Sequence, residues 1–139
     1  EHKSTEGDPT AKQRLRKVRV ERAQRRMMQA VPDADVVVTN PTHFAVAMKY
    51  NPEEMSAPVV VAKGQDLVAF KIREIAEEND ITIVENKPLA QALYFGVDID
   101  EEVPEEHYKA VAEIISYVWN LKGRVMPAEE MAQPAAAAE

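Results

Sequence analysis

The sequence predicts an α/β fold: a small four-stranded mixed sheet flanked by helices and preceded by a long basic N-terminal helix. Short runs of strand-forming residues alternate with stretches whose apolar residues recur at helical spacing. Hydrophobic residues make up 45% of the 139 positions, which is enough for one compact core. Residues 1–30 carry nine Lys or Arg against four acids, giving +5, and the remainder carries eight against twenty, giving −12.

The first segment predicts a helix from Ala11 to Ala30, after a loop at residues 1–10. Its apolar side chains form only a thin stripe, so it needs a partner or a membrane surface to be stable. Attraction to anionic lipid is one interpretation, and a solvated linker helix without a partner is the other. Nucleic acid is not an expected partner, because the arm lacks interleaved aromatic residues and the body is acidic.

The body begins with two predicted strands, Asp35–Thr39 and Phe44–Lys49, joined by a tight turn. A third strand, Val59–Ala62, is continuously apolar, which predicts a central position in the sheet. We expect it to end at Lys63-Gly64, and we expect the fourth strand at Ile81–Val84.

Three helices complete the predicted domain. Asp66 is a candidate N-cap for the helix Leu67–Glu78. A short helix spans Leu89–Tyr94, with Pro88 in its first turn and Gly96 at its end. The last helix begins near Pro104, after an acidic loop at 97–106. It carries one apolar stripe, formed by Tyr108, Val111, Ala112, Ile115, Val118 and Trp119. After Gly123 the Pro, Ala and Glu content predicts a disordered tail.

Several functional classes are disfavoured by composition. The chain contains no cysteine, which excludes disulfides and thiolate chemistry. No run approaches the roughly 20 apolar residues of a membrane span. His2, His43 and His107 are too scattered to predict a metal site, and Lys63-Gly64 lacks the glycine spacing of a phosphate loop. We therefore expect no cofactor.

The turn Asn40-Pro41-Thr42-His43 carries the clearest chemical signal. Asparagine usually deamidates through attack by the next backbone N–H, and Pro41 has none. The remaining route is attack by the Asn40 side-chain amide on its own main-chain carbonyl, which expels Pro41 as a new N-terminus. We expect Thr42 to fix the turn through its hydroxyl. We expect His43 to position the turn and to transfer a proton to a modest extent, and the alternative is that it only hydrogen-bonds the turn in place. The alternative is an ordinary structural turn.

This turn and its flanks closely resemble the self-cleavage site of the FlhB/YscU family, the export-gate switch proteins of bacterial flagella and type III secretion systems. The resemblance covers about residues 3 to 124 and is closest to the flagellar members. The segments that carry it are VTNPTHFAVA at 38–47, MSAPVVVAKG at 55–64, PLAQALY at 88–94, the last helix, and EGDP at 6–9.

The resemblance implies a self-cleaving protein that switches export from rod and hook cargo to filament cargo, rather than an enzyme acting in trans. It implies three partners: export substrates of rod and hook type, a hook-length control protein, and other export-gate components. It also implies that the domain is located on the cytoplasmic side of the bacterial inner membrane, as the C-terminal part of an integral membrane protein. The expected divisions are a basic linker helix at 1–30 after a membrane portion, the self-cleaving domain at 31–124, and a tail at 125–139.

The resemblance further implies a small apolar groove that accepts a hydrophobic export signal. Its residues are Ala57, Pro58, Ala112 and Ile115, for which plain core packing is the alternative. Two other readings stay open. One is a non-cleaving adaptor that docks export cargo, and the other is the equivalent switch protein of a virulence injectisome.

Overall fold

The computed structural model describes residues 9–41 and 43–122 as a mixed four-stranded sheet with helices on both faces, as the sequence predicts. The strands are β1 (Val36–Asn40), β2 (Phe44–Lys49), β3 (Val59–Gln65) and β4 (Thr82–Glu85). The helices are α1 (Pro9–Ala30), α2 (Leu67–Glu78), α3 (Lys87–Gly96) and α4 (Tyr108–Leu121).

The strand order in the sheet is β3-β2-β1-β4. β1 and β2 form an antiparallel hairpin whose register runs from Val36 opposite Met48 to Asn40 opposite Phe44. β4 joins the other side of β1 in parallel, after the chain has crossed over through α2. β1 therefore lies inside the sheet, between two hydrogen-bonded neighbours.

The prediction that β3 is central and ends at Ala62 is wrong. β3 is an edge strand, and it continues to Gln65 because Lys63 and Gly64 still pair with β2. The outer edge of β3 is covered by an irregular segment, since the Val60 amide donates to Glu101 O at 3.0 Å and its carbonyl accepts from Asp100 N at 2.7 Å. The run is apolar although it lies at an edge, because Val60 packs into the hydrophobic cluster on one face of the sheet and Ala62 into the cluster on the other face.

Alternating residues of the strands build two hydrophobic layers. On one face Val36, Val38 and Met48 pack with residues of α3 and α4, including Leu93 and Ile115. On the other face the buried residues come from the sheet, from α2 and from the last turn of α1, and they include Val37, Ala47, Met27, Ile72 and Ala76.

α1 is anchored to the body only near its C-terminal end. Met27 is 8% exposed and belongs to the core, whereas Leu15 and Val20 are about half exposed, at 53% and 50%. The helix begins at Pro9 rather than Ala11, because proline fits the first helical turn without losing a hydrogen bond. Most side chains of the basic helix are therefore exposed, and only its last turns pack against the rest of the described residues.

The remaining helices agree closely with the predictions, and α2 has the predicted bounds. Asp66 does occupy the N-cap position of α2, but its side chain makes no capping bond and its φ is 53°. Its main-chain carbonyl accepts from Phe70 N at 3.0 Å instead. Asn86 caps α3 by accepting from Leu89 N at 3.2 Å. A 3-10 turn at Glu105–His107 follows Pro104 and leads into α4. The predicted tail at 125–139 lies outside the described residues.

Candidate functional site

The Asn-Pro-Thr-His turn caps the β1–β2 hairpin at one end of the sheet. Asn40 is the last residue of β1 and pairs with Phe44, so residues 41–43 make the connection. Asn40 and Pro41 are half-buried, and His43 is exposed. Thr42, for which we predicted a hydroxyl contact that fixes the turn, lies outside the described residues.

A backbone hydrogen bond closes the turn across the Asn40–Pro41 peptide. The His43 N–H donates to the Asn40 carbonyl oxygen at 2.8 Å. A donor on this oxygen draws electron density from the carbonyl carbon and stabilises negative charge that develops on the oxygen during nucleophilic attack. The carbonyl of the Asn40–Pro41 bond is therefore polarised by the turn itself.

The chain on both sides of this bond is tied to neighbouring elements. The Thr39 carbonyl accepts from Asn86 N at 3.0 Å, at the start of α3. The His43 carbonyl accepts from Asp66 N at 3.0 Å, just before α2. These two bonds connect the ends of the turn to both helical layers, which limits how far the hairpin tip can relax.

A third tie comes from a side chain. Arg73, on α2, donates from Nη1 to the Pro41 carbonyl oxygen. Arg73 is half-buried, and its guanidinium carbon lies 5.9 Å from the centre of the Phe70 ring. Sequence reasoning did not identify this residue, because Arg73 is 32 positions away from Pro41 and only the packing of α2 on the sheet brings the two together.

Aromatic rings flank the turn on the α3 side. The Phe44 ring centre lies 4.8 Å from that of Tyr94 and 5.4 Å from that of Phe95, and 6.4 Å from the imidazole of His43. Lys63 holds the end of α3 nearby, because its Nζ donates to the carbonyls of Tyr94 at 2.7 Å and Val97 at 2.8 Å. The imidazole therefore stands between solvent and a packed aromatic group.

The predicted groove residues lie apart from this turn. Ala57, Pro58 and Ile115 are buried, and Ala112 is half-buried. Ile115 and Ala112 belong to the core layer that α4 covers, and the Pro58 carbonyl accepts from Val103 N at 2.8 Å. The structure thus places these residues in or beside the core, and their role in binding cargo stays a prediction.

Within residues 9–41 and 43–122, no group of three or more His, Asp or Glu side chains is arranged to bind a metal ion. Over the same residues, none of the helices combines the length and the apolar character needed to cross a membrane. The chemistry available at the turn is that of an asparagine amide, a tertiary amide bond and an imidazole.

The fold and the turn together define an export-apparatus protein of the type III class. A family model described as the FlhB HrpN YscU SpaS family matches residues 1–118, and the chain belongs to this family. Among curated relatives, flagellar biosynthetic protein FlhB of Bacillus subtilis is 55% identical over 125 residues, covering 90% of this chain and 35% of the relative. FlhB of Escherichia coli is 52% identical over 122 residues, covering 88% and 32%.

Solved structures agree with this assignment. The cytoplasmic domain of FlhB from Shewanella putrefaciens superposes with a TM-score of 0.67 at 49% identity, over 75% of this chain and 85% of that chain. An EscU C-terminal domain with an asparagine-to-alanine substitution gives 0.64 at 30% identity, over 66% and 92%. The chain spans about one third of the length of the curated relatives that it matches.

Proposed function

We propose that this chain is the part of a flagellar export-apparatus protein that cuts its own backbone once, between Asn40 and Pro41, by asparagine cyclisation. The observation that carries the proposal is the 2.8 Å hydrogen bond from His43 N–H to the Asn40 carbonyl, across a turn whose second residue is proline. The bond polarises the carbonyl that the side chain attacks, and proline removes the competing backbone nucleophile.

The steps follow from the atoms present. The Asn40 amide nitrogen attacks the Asn40 carbonyl carbon and loses one proton, and the carbonyl oxygen takes up negative charge beside the His43 N–H. The bond to Pro41 then breaks, and the Pro41 nitrogen takes up one proton and becomes a new N-terminus. Residue 40 is left as a cyclic imide, which water later opens. The imidazole of His43 is the candidate for assisting the proton transfers, and the backbone N–H of the same residue holds the turn.

The solved EscU domains support this choice of residues. They include variants of an asparagine, of the proline that follows it, and of a histidine three positions after that asparagine. Asn40, Pro41 and His43 have the same residue types at the same spacing. Each molecule turns over once and acts on itself, so the chain is a self-processing module rather than an enzyme acting in trans.

The consequence we propose is a switch in export specificity from rod and hook cargo to filament cargo. The partners are rod- and hook-type export substrates, a hook-length control protein, and other components of the export gate. Cleavage changes the hairpin tip, which gains two chain ends on a surface beside the exposed Phe95 ring. A local change of a recognition surface is a sufficient basis for such a switch.

We place this domain on the cytoplasmic side of the bacterial inner membrane, as the C-terminal part of an integral membrane protein. α1 supports this placement, because its eight basic residues are all exposed and it carries one acid, Glu21. Such a helix is attracted to anionic lipid by about 1 kcal/mol per basic residue close to the surface. Binding to anionic vesicles but not to neutral ones tests the assignment.

The cleavage proposal predicts two polypeptides in purified protein. We expect the mass of the denatured wild-type chain to resolve into residues 1–40 and 41–139, while Asn40→Ala gives one intact mass because it lacks the attacking amide. Freshly cut fragments should sum to the intact mass, and the shorter fragment should later gain one water. A wild-type chain that stays intact at neutral pH would favour the non-cleaving adaptor.

A further inference from the structure

We propose that Arg73 is a positioning residue for this cleavage. Its guanidinium fixes the Pro41 side of the turn before the bond breaks and keeps the new N-terminus docked afterwards. The inference rests on the proposed self-cleavage and adds a residue from α2 to a site that otherwise consists of four consecutive residues.

The guanidinium is carried by a rigid element. Arg73 lies next to Ile72, which is fully buried between α2 and the sheet, and Ala69 and Ala76 are buried on the same helix. Phe70, one turn earlier, places its ring 5.9 Å from the guanidinium carbon. With the helix fixed and the side chain resting on an aromatic ring, the donor that faces the turn has a defined position.

The atom that Arg73 contacts controls the geometry of the leaving group. The proline ring fixes φ of Pro41, so ψ is the one soft backbone angle left in that residue. The value of ψ determines where the Pro41 carbonyl points. Arg73 donates to that carbonyl and so restrains ψ. His43 N–H holds the preceding peptide plane through the Asn40 carbonyl. The two bonds therefore fix the peptide planes on both sides of Pro41, which favours one approach of the amide nitrogen.

The same contact survives the cut. Arg73 and Pro41 both belong to the fragment 41–139, so their hydrogen bond does not depend on the bond that breaks. The new N-terminus stays against α2, while Asn40 remains at the end of β1. Arg73 thus limits how far the two new ends separate.

The test compares Arg73→Ala and Arg73→Lys with Lys71→Ala. Lys71 is on the same helix, is exposed and pairs with Glu74, so its loss removes the same charge without touching the turn. Each chain is made by cell-free synthesis, quenched into denaturant at timed intervals, and weighed. We expect Arg73→Ala to slow cleavage about tenfold, the effect of losing one charge-assisted hydrogen bond. Arg73→Lys should recover part of the rate, and Lys71→Ala should match the wild type.

A second measurement separates positioning from general stability. In the uncut Asn40→Ala background, Arg73→Ala should speed hydrogen exchange of the His43 amide while leaving that of Ala47, inside β2, unchanged. Wild-type cleavage rates in Arg73→Ala would overturn the inference, and so would faster exchange throughout the sheet, which would make Arg73 a folding residue. If the wild-type chain never breaks, the cleavage proposal fails, and the exchange measurement still tests Arg73. Unchanged exchange of the His43 amide in Arg73→Ala would show that Arg73 does not position the turn.

Discussion

Proline at position 41 has two effects on the chemistry of its neighbour. It removes the backbone N–H through which asparagine normally deamidates, and it makes the Asn40–Pro41 bond a tertiary amide with a weaker preference for one isomer. The side chain of Asn40 is then left with its own carbonyl as a target. The turn makes that carbonyl more reactive, because the His43 N–H donates to its oxygen at 2.8 Å. In the proposed reaction, Asn40 and Pro41 thus decide which bond breaks, and the backbone N–H of His43 activates that bond.

We expect the side chain of His43 to accelerate cleavage without being essential for it. Its imidazole is exposed, whereas its backbone N–H makes the activating bond, which alanine retains. We expect His43→Ala to slow cleavage by about tenfold, which is below the roughly 100- to 10,000-fold that a full general acid or base contributes. We expect Asn40→Ala to abolish cleavage, because it removes the attacking amide. Timed denatured masses at several pH values measure this effect.

The control for His43 is the shape of the rate–pH profile. If the imidazole transfers a proton, the rate–pH profile of the wild type should show an inflection that is absent from the profile of His43→Ala. If His43→Ala cuts as fast as the wild type at every pH, the imidazole has no part in the reaction. If it never cuts, His43 is as essential as Asn40 and our division of roles is wrong.

The candidate site divides into residues that sequence can identify and residues that it cannot. Asn40, Pro41 and His43 are contiguous or nearly so, and their chemistry follows from residue type. Arg73 reaches the turn only because Ile72 and its neighbours seat α2 on the sheet. A basic residue in the middle of a helix has no local feature that distinguishes it from Lys71 two positions earlier. Long-range donors of this kind require the fold.

At the scale of elements, β2 and α2 were predictable to the residue and β3 was not. The bounds of α2 follow from its apolar period, which nothing nearby disrupts. β3 extends past Ala62 because Gly64 both pairs with Ala45 and allows α2 to approach. A β-carbon on Gly64 would lie 2.2 Å from Val68 Cγ1, so glycine is needed where the strand meets the helix. Glycine predicts a strand end by propensity, and here tertiary packing overrides that propensity.

α1 should bind anionic membranes through its exposed basic residues. We expect the protein to co-sediment with vesicles containing phosphatidylserine and to be released as salt is raised, because the attraction is screened within about 8 Å at physiological ionic strength. Replacing Arg14, Arg16 and Lys17 with glutamine should weaken binding by about 3 kcal/mol.

The matched control for α1 replaces Lys49, Lys71 and Lys109 of the body with glutamine, which removes the same charge outside the helix. Equal losses in the two triple variants would mean that net charge, rather than the helix, governs binding. Binding to neutral vesicles that is insensitive to salt would contradict an electrostatic role altogether.

At the scale of the whole molecule, the proposed cut divides the sheet without exposing its interior. β1 belongs to residues 1–40, and β2, β3 and β4 belong to residues 41–139. β1 lies between β2 and β4, and Val36, Val37 and Val38 are fully buried. Burial of three such side chains stabilises the association by about 5–9 kcal/mol, apart from the sheet hydrogen bonds. The two fragments should therefore remain one folded particle after cleavage.

That arrangement makes the stability of the cut protein depend on its concentration. The uncut Asn40→Ala chain unfolds as one molecule, so its denaturation midpoint should not change with concentration. The cut chain unfolds into two polypeptides, and each tenfold rise in concentration should stabilise it by about 1.4 kcal/mol.

The cut chain should also be less stable than the uncut one. In Asn40→Ala the intact turn tethers β1 to β2 and gives an effective concentration in the millimolar range, so at micromolar protein the cut chain should be less stable by about 4 kcal/mol. Urea unfolding of both proteins at about 1 µM and about 100 µM measures both effects. A cut chain whose midpoint is independent of concentration would mean that the fragments unfold without separating, and β1 would then not be the element that joins them.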